Sequence, residues 1–145
     1  MTIDSKAFGR ITIEDKQLIR FPVGIFGFED LRNFALLDAQ QSPFYWLQSL
    51  RDAQIAFVLI NPYVFRADYL LDIPEEDVRA IGSPEADDLL VFSIVTIPDD
   101  RRMMTANLQG PIIINRKERL GRQSISLGQQ WTTRHVILEE LQRGA

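Results

Sequence analysis

A chain of 145 residues, 46% apolar and 25% charged, is long enough to bury one core of its own and too ordinary in composition for long disorder. With no cysteine and a single histidine it has no disulfide framework, no thiolate metal site, no cysteine nucleophile and no zinc centre of the clustered His/Cys kind. No stretch approaches the ~20 apolar residues of a membrane span, and Met1 to Arg20 lacks a basic segment followed by an apolar one, so a cytoplasmic protein is expected.

The net charge of −4 is unevenly spread. Residues 1–67 balance, residues 68–100 hold ten acids against Arg79 alone, and residues 101–145 hold eight bases against three acids. A block of −9 followed by one of +5 within one domain bears on partners rather than on fold.

Phe8 to Ile13 alternates apolar and polar residues and reads as a first strand, with Gln17 to Phe21 as its hairpin partner across Glu14-Asp15-Lys16. The following FPVGIFGF, Phe21 to Phe28, interleaves aromatics with Pro22, Gly24 and Gly27, which predicts a folded-in apolar loop. Asn33 to Asp38 is a short strand. Pro43 to Phe65 is the densest aromatic and β-branched stretch and reads as a central hairpin: Phe44 to Leu50, a polar link Arg51 to Gln54, then Ile55 to Ile60 closed by Asn61-Pro62. The unbroken apolar run of the second arm suits a strand covered on both faces.

Pro74 to Gly82 has the grammar of a short helix near 75–81, with proline at the start, acids in the first turn and glycine past the end. Leu89 to Ile97 is a second long strand, and Met104 to Gln109 alternates so as to pair with it, setting Met104, Ala106 and Leu108 opposite Thr105, Asn107 and Gln109. Pro111 opens a strand over Ile112 to Asn115. Arg116 to Arg122 reads as a charged connection to Gln123–Leu127, a strand alternating Ile125 and Leu127 against Ser124 and Ser126. Val136 to Arg143 fits either a last strand or a helical turn. The sum is one domain over residues 1–145, mainly β, a small barrel or pseudo-barrel of short antiparallel strands with one short helix.

Catalytic chemistry finds little support. His135 has no serine in a nucleophile-elbow context and no paired acid at a suggestive spacing, and Gly24 and Gly27 are flanked by phenylalanines rather than followed by Lys-Ser or Lys-Thr. The acids of residues 68–88 lack calcium-loop spacing and read as a solvated face or as a surface for a basic protein, anchored by Tyr63, Phe65, Tyr69 and Leu70. Arg116, Lys117, Arg119 and Arg122 read as a solvated hairpin tip or as phosphate contacts. A small hydrolase or ligand-binding barrel is the alternative of another class, its pocket ringed by His135, Ser93 and buried acids.

In order along the chain, FPVGIFGFED (Phe21 to Asp30), PFYWLQSL (Pro43 to Leu50), AFVLINPYVF (Ala56 to Phe65), VTIP (Val95 to Pro98) and MTANLQGPIIIN (Met104 to Asn115) resemble the signature blocks of the flagellar assembly factor FliW family. The resemblance spans roughly residues 8 to 137. It implies a non-enzymatic regulator, without cofactor or metal, that binds the RNA-binding translational repressor CsrA and also flagellin, each association opposing the other. CsrA presents basic residues to RNA, so the acidic block is its expected counterpart here. Asp68, Tyr69, Asp72, Glu75, Glu76 and Asp77 are the candidate partner-binding residues on that ground, and Thr105 and Asn107 on the ground that their alternation turns them to solvent. Phe21, Phe44, Trp46, Phe57 and Phe92 are assigned to the core.

Overall fold

The computed structural model describes residues 1–144. Its first hairpin joins Thr2–Ser5 (β1) to Gly9–Thr12 (β2), in antiparallel register from Thr2 opposite Thr12 to Ser5 opposite Gly9. Gly9, at φ +69, makes the turn, and the Ser5 hydroxyl donates to the Gly9 carbonyl at 2.8 Å. The expected pairing of Phe8–Ile13 with Gln17–Phe21 is corrected. The N-terminal residues take that edge of β2, and Leu18–Arg20 (β3) pairs instead with Asn33–Asp38 (β4).

The central hairpin forms as read: Phe44–Ser49 (β5) and Ala56–Ile60 (β6) lie antiparallel, Phe44 opposite Ile60 and Gln48 opposite Ala56. Leu89–Thr96 (β7), Ile112–Asn115 (β9) and Leu120–Gln123 (β10) complete a closed barrel of seven strands in the order β3-β4-β5-β6-β7-β9-β10, with β10 returning to β3 in the one parallel contact, Leu120 opposite Arg20. Closure removes the free edges that an open sheet of this size exposes. Strand β7 divides its partners. Leu89 to Phe92 pair with β9, while Val95 and Thr96 pair with Thr105–Ala106 (β8), onto which His135–Val136 (β11) adds.

Alternation sorts the side chains into two layers. Phe21, Ile19, Phe34, Leu47, Leu59, Phe92, Ile112 and Ile114 form one cluster, with Phe57 packed on it. The opposite strand faces carry two outer clusters. Ile3, Ile13, Ala35 and Leu37 lie under the first hairpin with Trp46 against them. Ile60, Val95, Ala106, Leu108, Trp131 and Ile137 lie under the chain's last third, with Phe44 against them. Leu59 and Ile60 thus serve different clusters, which is how β6 comes to be covered on both faces. Phe44, Trp46 and Phe57 are half-buried rather than fully enclosed.

The Pro74–Gly82 helix is present as Glu75–Ala80 (α1), with Gly82 at φ +91 behind it. The two readings of the tail both hold in part, since β11 runs directly into a second helix, Ile137–Arg143 (α2). The loop after β3 turns at Gly24, φ +72, where an added Cβ would lie 2.5 Å from the Glu29 Cα. Ile25 is buried there, but Phe26 stands 54% exposed, so the loop is only partly folded in.

The strand expected over Gln123–Leu127, beyond a charged connection, needs a second correction. The partner of β9 is β10, within the stretch expected to be a connection, because the Asn115 side chain accepts the Lys117 and Glu118 N–H groups at 3.1 and 3.2 Å and tightens the turn. Beyond it, Ser124 and Ser126 face inward while Ile125 and Leu127 are 54% and 59% exposed.

Candidate protein-binding surface

Asp72, Glu75 and Glu76 are exposed and follow one another on the loop into α1 and on its first turn, where carboxylates also suit the helix N-terminus. Glu75 reaches Arg79 one turn on at 3.6 Å, a solvent-screened pair. Among the described residues Asp72 and Glu76 have no basic partner within 4 Å, and neither have the exposed Glu85 and Asp87 further along. The segment after β10 runs beside this face: the Leu127 N–H donates to the Asp72 carbonyl at 2.7 Å. The exposed Ile125 and Leu127 therefore border the carboxylates. Sequence reading missed them because an alternating run signals two faces without saying which is inward; the inward choice was made by Ser124, through a buried acid on α1.

That acid is Asp77, and it lies inside, 8% exposed. Its Oδ2 accepts the Ser124 hydroxyl at 2.5 Å and its Oδ1 lies 3.0 Å from Arg122 Nε. The Arg122 N–H is poorly aligned, so this contact is an ion pair more than a hydrogen bond. Asp88, also of the acidic block, is buried against Arg116 at 2.9 Å and Lys117 at 3.6 Å. Part of the −9 block is thus neutralised internally by the basic last third.

Asp68 remains 70% exposed at its side chain but is gripped by Arg66, two hydrogen bonds at 2.9 Å holding its carboxyl below the usual carboxylate range. The same guanidinium pairs with the buried Glu140 of α2 and stacks 4.8 Å from the Trp131 ring. His135 belongs to this knot. Its Nε2 accepts the Thr132 N–H at 2.9 Å, which leaves Nδ1 to donate to Glu140. The lone histidine thus fastens α2 to the barrel.

Tyr69 is 3% exposed, its hydroxyl donating to the Leu108 carbonyl at 3.1 Å and its ring 4.8 Å from Trp131. Burial, with the neighbouring Tyr63 phenol adding to it, pushes the Tyr69 phenol up to about 12. The folded state therefore prefers the neutral phenol, and the stability this contributes is whole below the ordinary tyrosine value near 10 and is lost as pH rises towards 12. In an absorbance titration at alkaline pH, the Tyr69 phenol is expected to ionise late and together with unfolding. Tyr69→Phe should abolish that late step; an unchanged titration would contradict the placement of Tyr69.

Thr105 and Asn107 lie elsewhere. They line a cleft of about 710 Å³ floored by Phe28, Phe57 and Ile94, with Phe26 and Met103 at its rim and none of the acidic block's carboxylates among its lining residues. Asn107 Oδ1 accepts the N–H groups of Gln109 and Gly110 at 3.1 and 2.8 Å, so its carbonyl is engaged within its own turn. The candidate residues thus divide into an exposed acidic face of Asp72, Glu75 and Glu76 at the start of α1, Asp68 held by Arg66, a buried pair, Tyr69 and Asp77, and Thr105 and Asn107 in a separate aromatic cleft. Ser93, at the centre of the hydrolase alternative, is wholly buried and apart from His135 in hydrogen bonding.

A family model described as FliW protein matches residues 2–137. The chain is 46% identical over 141 residues to the flagellar assembly factor FliW of Treponema denticola, covering 97% of this chain and 96% of that protein. It is 43% identical to that of Treponema pallidum, covering 97% and 94%. A crystal structure of a flagellar assembly factor FliW superposes with a TM-score of 0.88 at 34% identity, over 94% of this chain and 96% of that one. A seven-strand closed barrel with the five motif blocks on its strands and turns, matched over nearly its whole length in sequence and in structure, belongs to the FliW family of flagellar assembly factors.

Proposed function

We propose that this chain is a non-catalytic, cytoplasmic regulator that binds CsrA and flagellin in turn, freeing flagellin mRNA for translation when it holds CsrA. The observation that carries the reading is the run of solvent-facing carboxylates Asp72, Glu75 and Glu76, bordered by the exposed Ile125 and Leu127. A basic RNA-binding protein is attracted to such ground, the aliphatic side chains supply contact area, and the same charge repels RNA phosphates from the complex. Internal pairing of Asp77 and Asp88 narrows the attractive region to α1 and its flanks rather than the whole −9 block.

Purified protein mixed with CsrA, with flagellin, and with both, and resolved by size-exclusion chromatography, is expected to form each binary complex. The triple change Asp72→Lys, Glu75→Lys, Glu76→Lys is expected to weaken CsrA binding by at least about tenfold, since it reverses charge at the contact. Its melting temperature should fall only modestly, by what lysines in place of two carboxylates cost at the helix N-terminus, because all three side chains are exposed. The CsrA complex should also loosen as salt rises and the Debye length falls below about 10 Å. An affinity indifferent to salt and to the triple change would overturn the assignment of this face.

A further inference from the structure

We propose that a second docking site, for an acidic peptide segment of a partner protein, lies in the arginine-rimmed cleft at the β3–β10 end of the barrel. It goes beyond the CsrA and flagellin reading and stands on different residues. The cleft has a volume of about 800 Å³, and Arg20, Arg51 and Arg119 line it. None of the three has a carboxylate within 4 Å among the described residues, in a chain whose net charge is negative and in which five of the ten other arginines, Arg66, Arg79, Arg102, Arg116 and Arg122, are each paired with an acid. Arg51 and Arg119 donate through Nη1 only to backbone carbonyls, of Asp30 at 3.2 Å and of Asp15 at 2.5 Å, which steadies the guanidinium groups and leaves their other N–H groups open.

The strands set the spacing. The Arg20 N–H bonds the Arg119 carbonyl at 3.0 Å, Arg20 stands opposite Asn33, and the Asn33 carbonyl accepts the Leu50 N–H at 2.9 Å beside Arg51. The arginines thus come from the ends of β10, β3 and β5, with β4 between the last two, spread over about 14 Å at three inter-strand spacings, the reach of four or so residues of extended chain. Guanidinium forks bind carboxylates bidentately, and the half-buried Leu18 and Leu50 are the accessible part of an apolar floor that the buried Ile19 and Phe34 close from beneath. A segment alternating carboxylates with aliphatic side chains satisfies both.

Nucleic acid fits less well. The floor aromatic, Phe34, is wholly buried and offers no face for base stacking, Glu118 stands on the rim, and the whole protein repels a long polyanion. Arg119 adds a further sign. It holds φ at +56, a left-handed conformation in which glycine or asparagine is the less costly residue, so the position keeps an arginine against its local backbone preference.

The test is fluorescence anisotropy of the intact protein with a labelled acetyl-Glu-Leu-Glu-Leu-Glu peptide and, separately, a labelled oligouridylate. The wild type is expected to bind the peptide, more weakly as salt rises. Arg20→Ala/Arg51→Ala/Arg119→Ala should weaken it at least about tenfold, the loss expected from removing charge-assisted hydrogen bonds. Arg119→Gly is the decisive variant: relief of the left-handed strain should leave its melting temperature equal to or above the wild type's while peptide affinity falls. Arg79→Ala, on α1, should bind the peptide normally. Absence of peptide binding, equal binding by the triple variant, or tighter binding of the oligouridylate through the same arginines would each overturn the proposal.

Discussion

Phe21→Ala is expected to lower the unfolding free energy by about 3–5 kcal/mol, the range for emptying a buried aromatic position. Phe21 is wholly buried, meets Phe34 edge-on at 5.3 Å between ring centroids, and lies where the Phe21–Phe28 loop leaves the barrel. Its ring also occupies the space above Gly121 on β10. A Cβ built at Gly121 would fall 2.5, 2.7 and 2.8 Å from three of its carbons. Gly121→Ala should therefore overpack the site and cost about 1–3 kcal/mol, although alanine suits a strand no worse than glycine. The two changes must interact. Phe21→Leu leaves a space that the new methyl group partly fills, so Gly121→Ala/Phe21→Leu should be more stable than the sum of the single effects predicts. Urea unfolding followed by tryptophan fluorescence measures all three; strictly additive losses would show that the ring and the glycine do not share this contact.

The same residues mark what a sequence can disclose. Phe21 sits in an aromatic loop whose glycines announce a turn, and the runs Ala56–Ile60 and Leu89–Thr96 carry enough β-branched and aromatic weight, and Asn33–Asp38 a compact enough apolar run, to be found as strands without tertiary knowledge. The helix over Glu75–Ala80 follows from its proline, acids and glycine. Four-residue strands are harder. Thr2–Ser5 lacks strong alternation, and its pairing with β2 is decided by a turn at Gly9 rather than by apolar content. Leu120–Gln123 contains one apolar side chain, and becomes a strand only because Asn115 closes the turn and β3 offers a free edge. The acidic surface was legible as composition but not as geometry. Asp77 and Asp88 look like Glu76 and Asp87 in the sequence, and only the fold brings Arg122 and Arg116 to them, whereas Arg66 stands two residues from Asp68 in the chain itself. The arginine cleft was legible only in part, because Arg20, Arg51 and Arg119 meet through three strands far apart in the chain.

That internal use of charge leads to the second large effect. Asp77→Ala is expected to destabilise the protein by about 3 kcal/mol, by removing one partner from a buried hydrogen bond and an ion pair together. The Ser124 hydroxyl would be left without its acceptor, and Arg122 would keep its charge beside an apolar gap. Because Arg122 retains 31% of its side-chain exposure, water can take up some of the loss, which places the figure at the lower end of the range for broken buried pairs. Asp77→Leu/Arg122→Leu should recover part of it, since an ion pair replaced whole by apolar groups is often close to neutral. The consequence for function separates two roles that one acidic run in the sequence does not. Asp77→Ala protein, measured below its lowered melting temperature, should bind CsrA as the wild type does, whereas lysines at Asp72, Glu75 and Glu76 should lower the melting temperature only modestly and weaken the binding at least about tenfold. If Asp77→Ala instead kept its stability and lost CsrA, the carboxylate would have to face the partner, and the contact with Ser124 and Arg122 would not be what holds it.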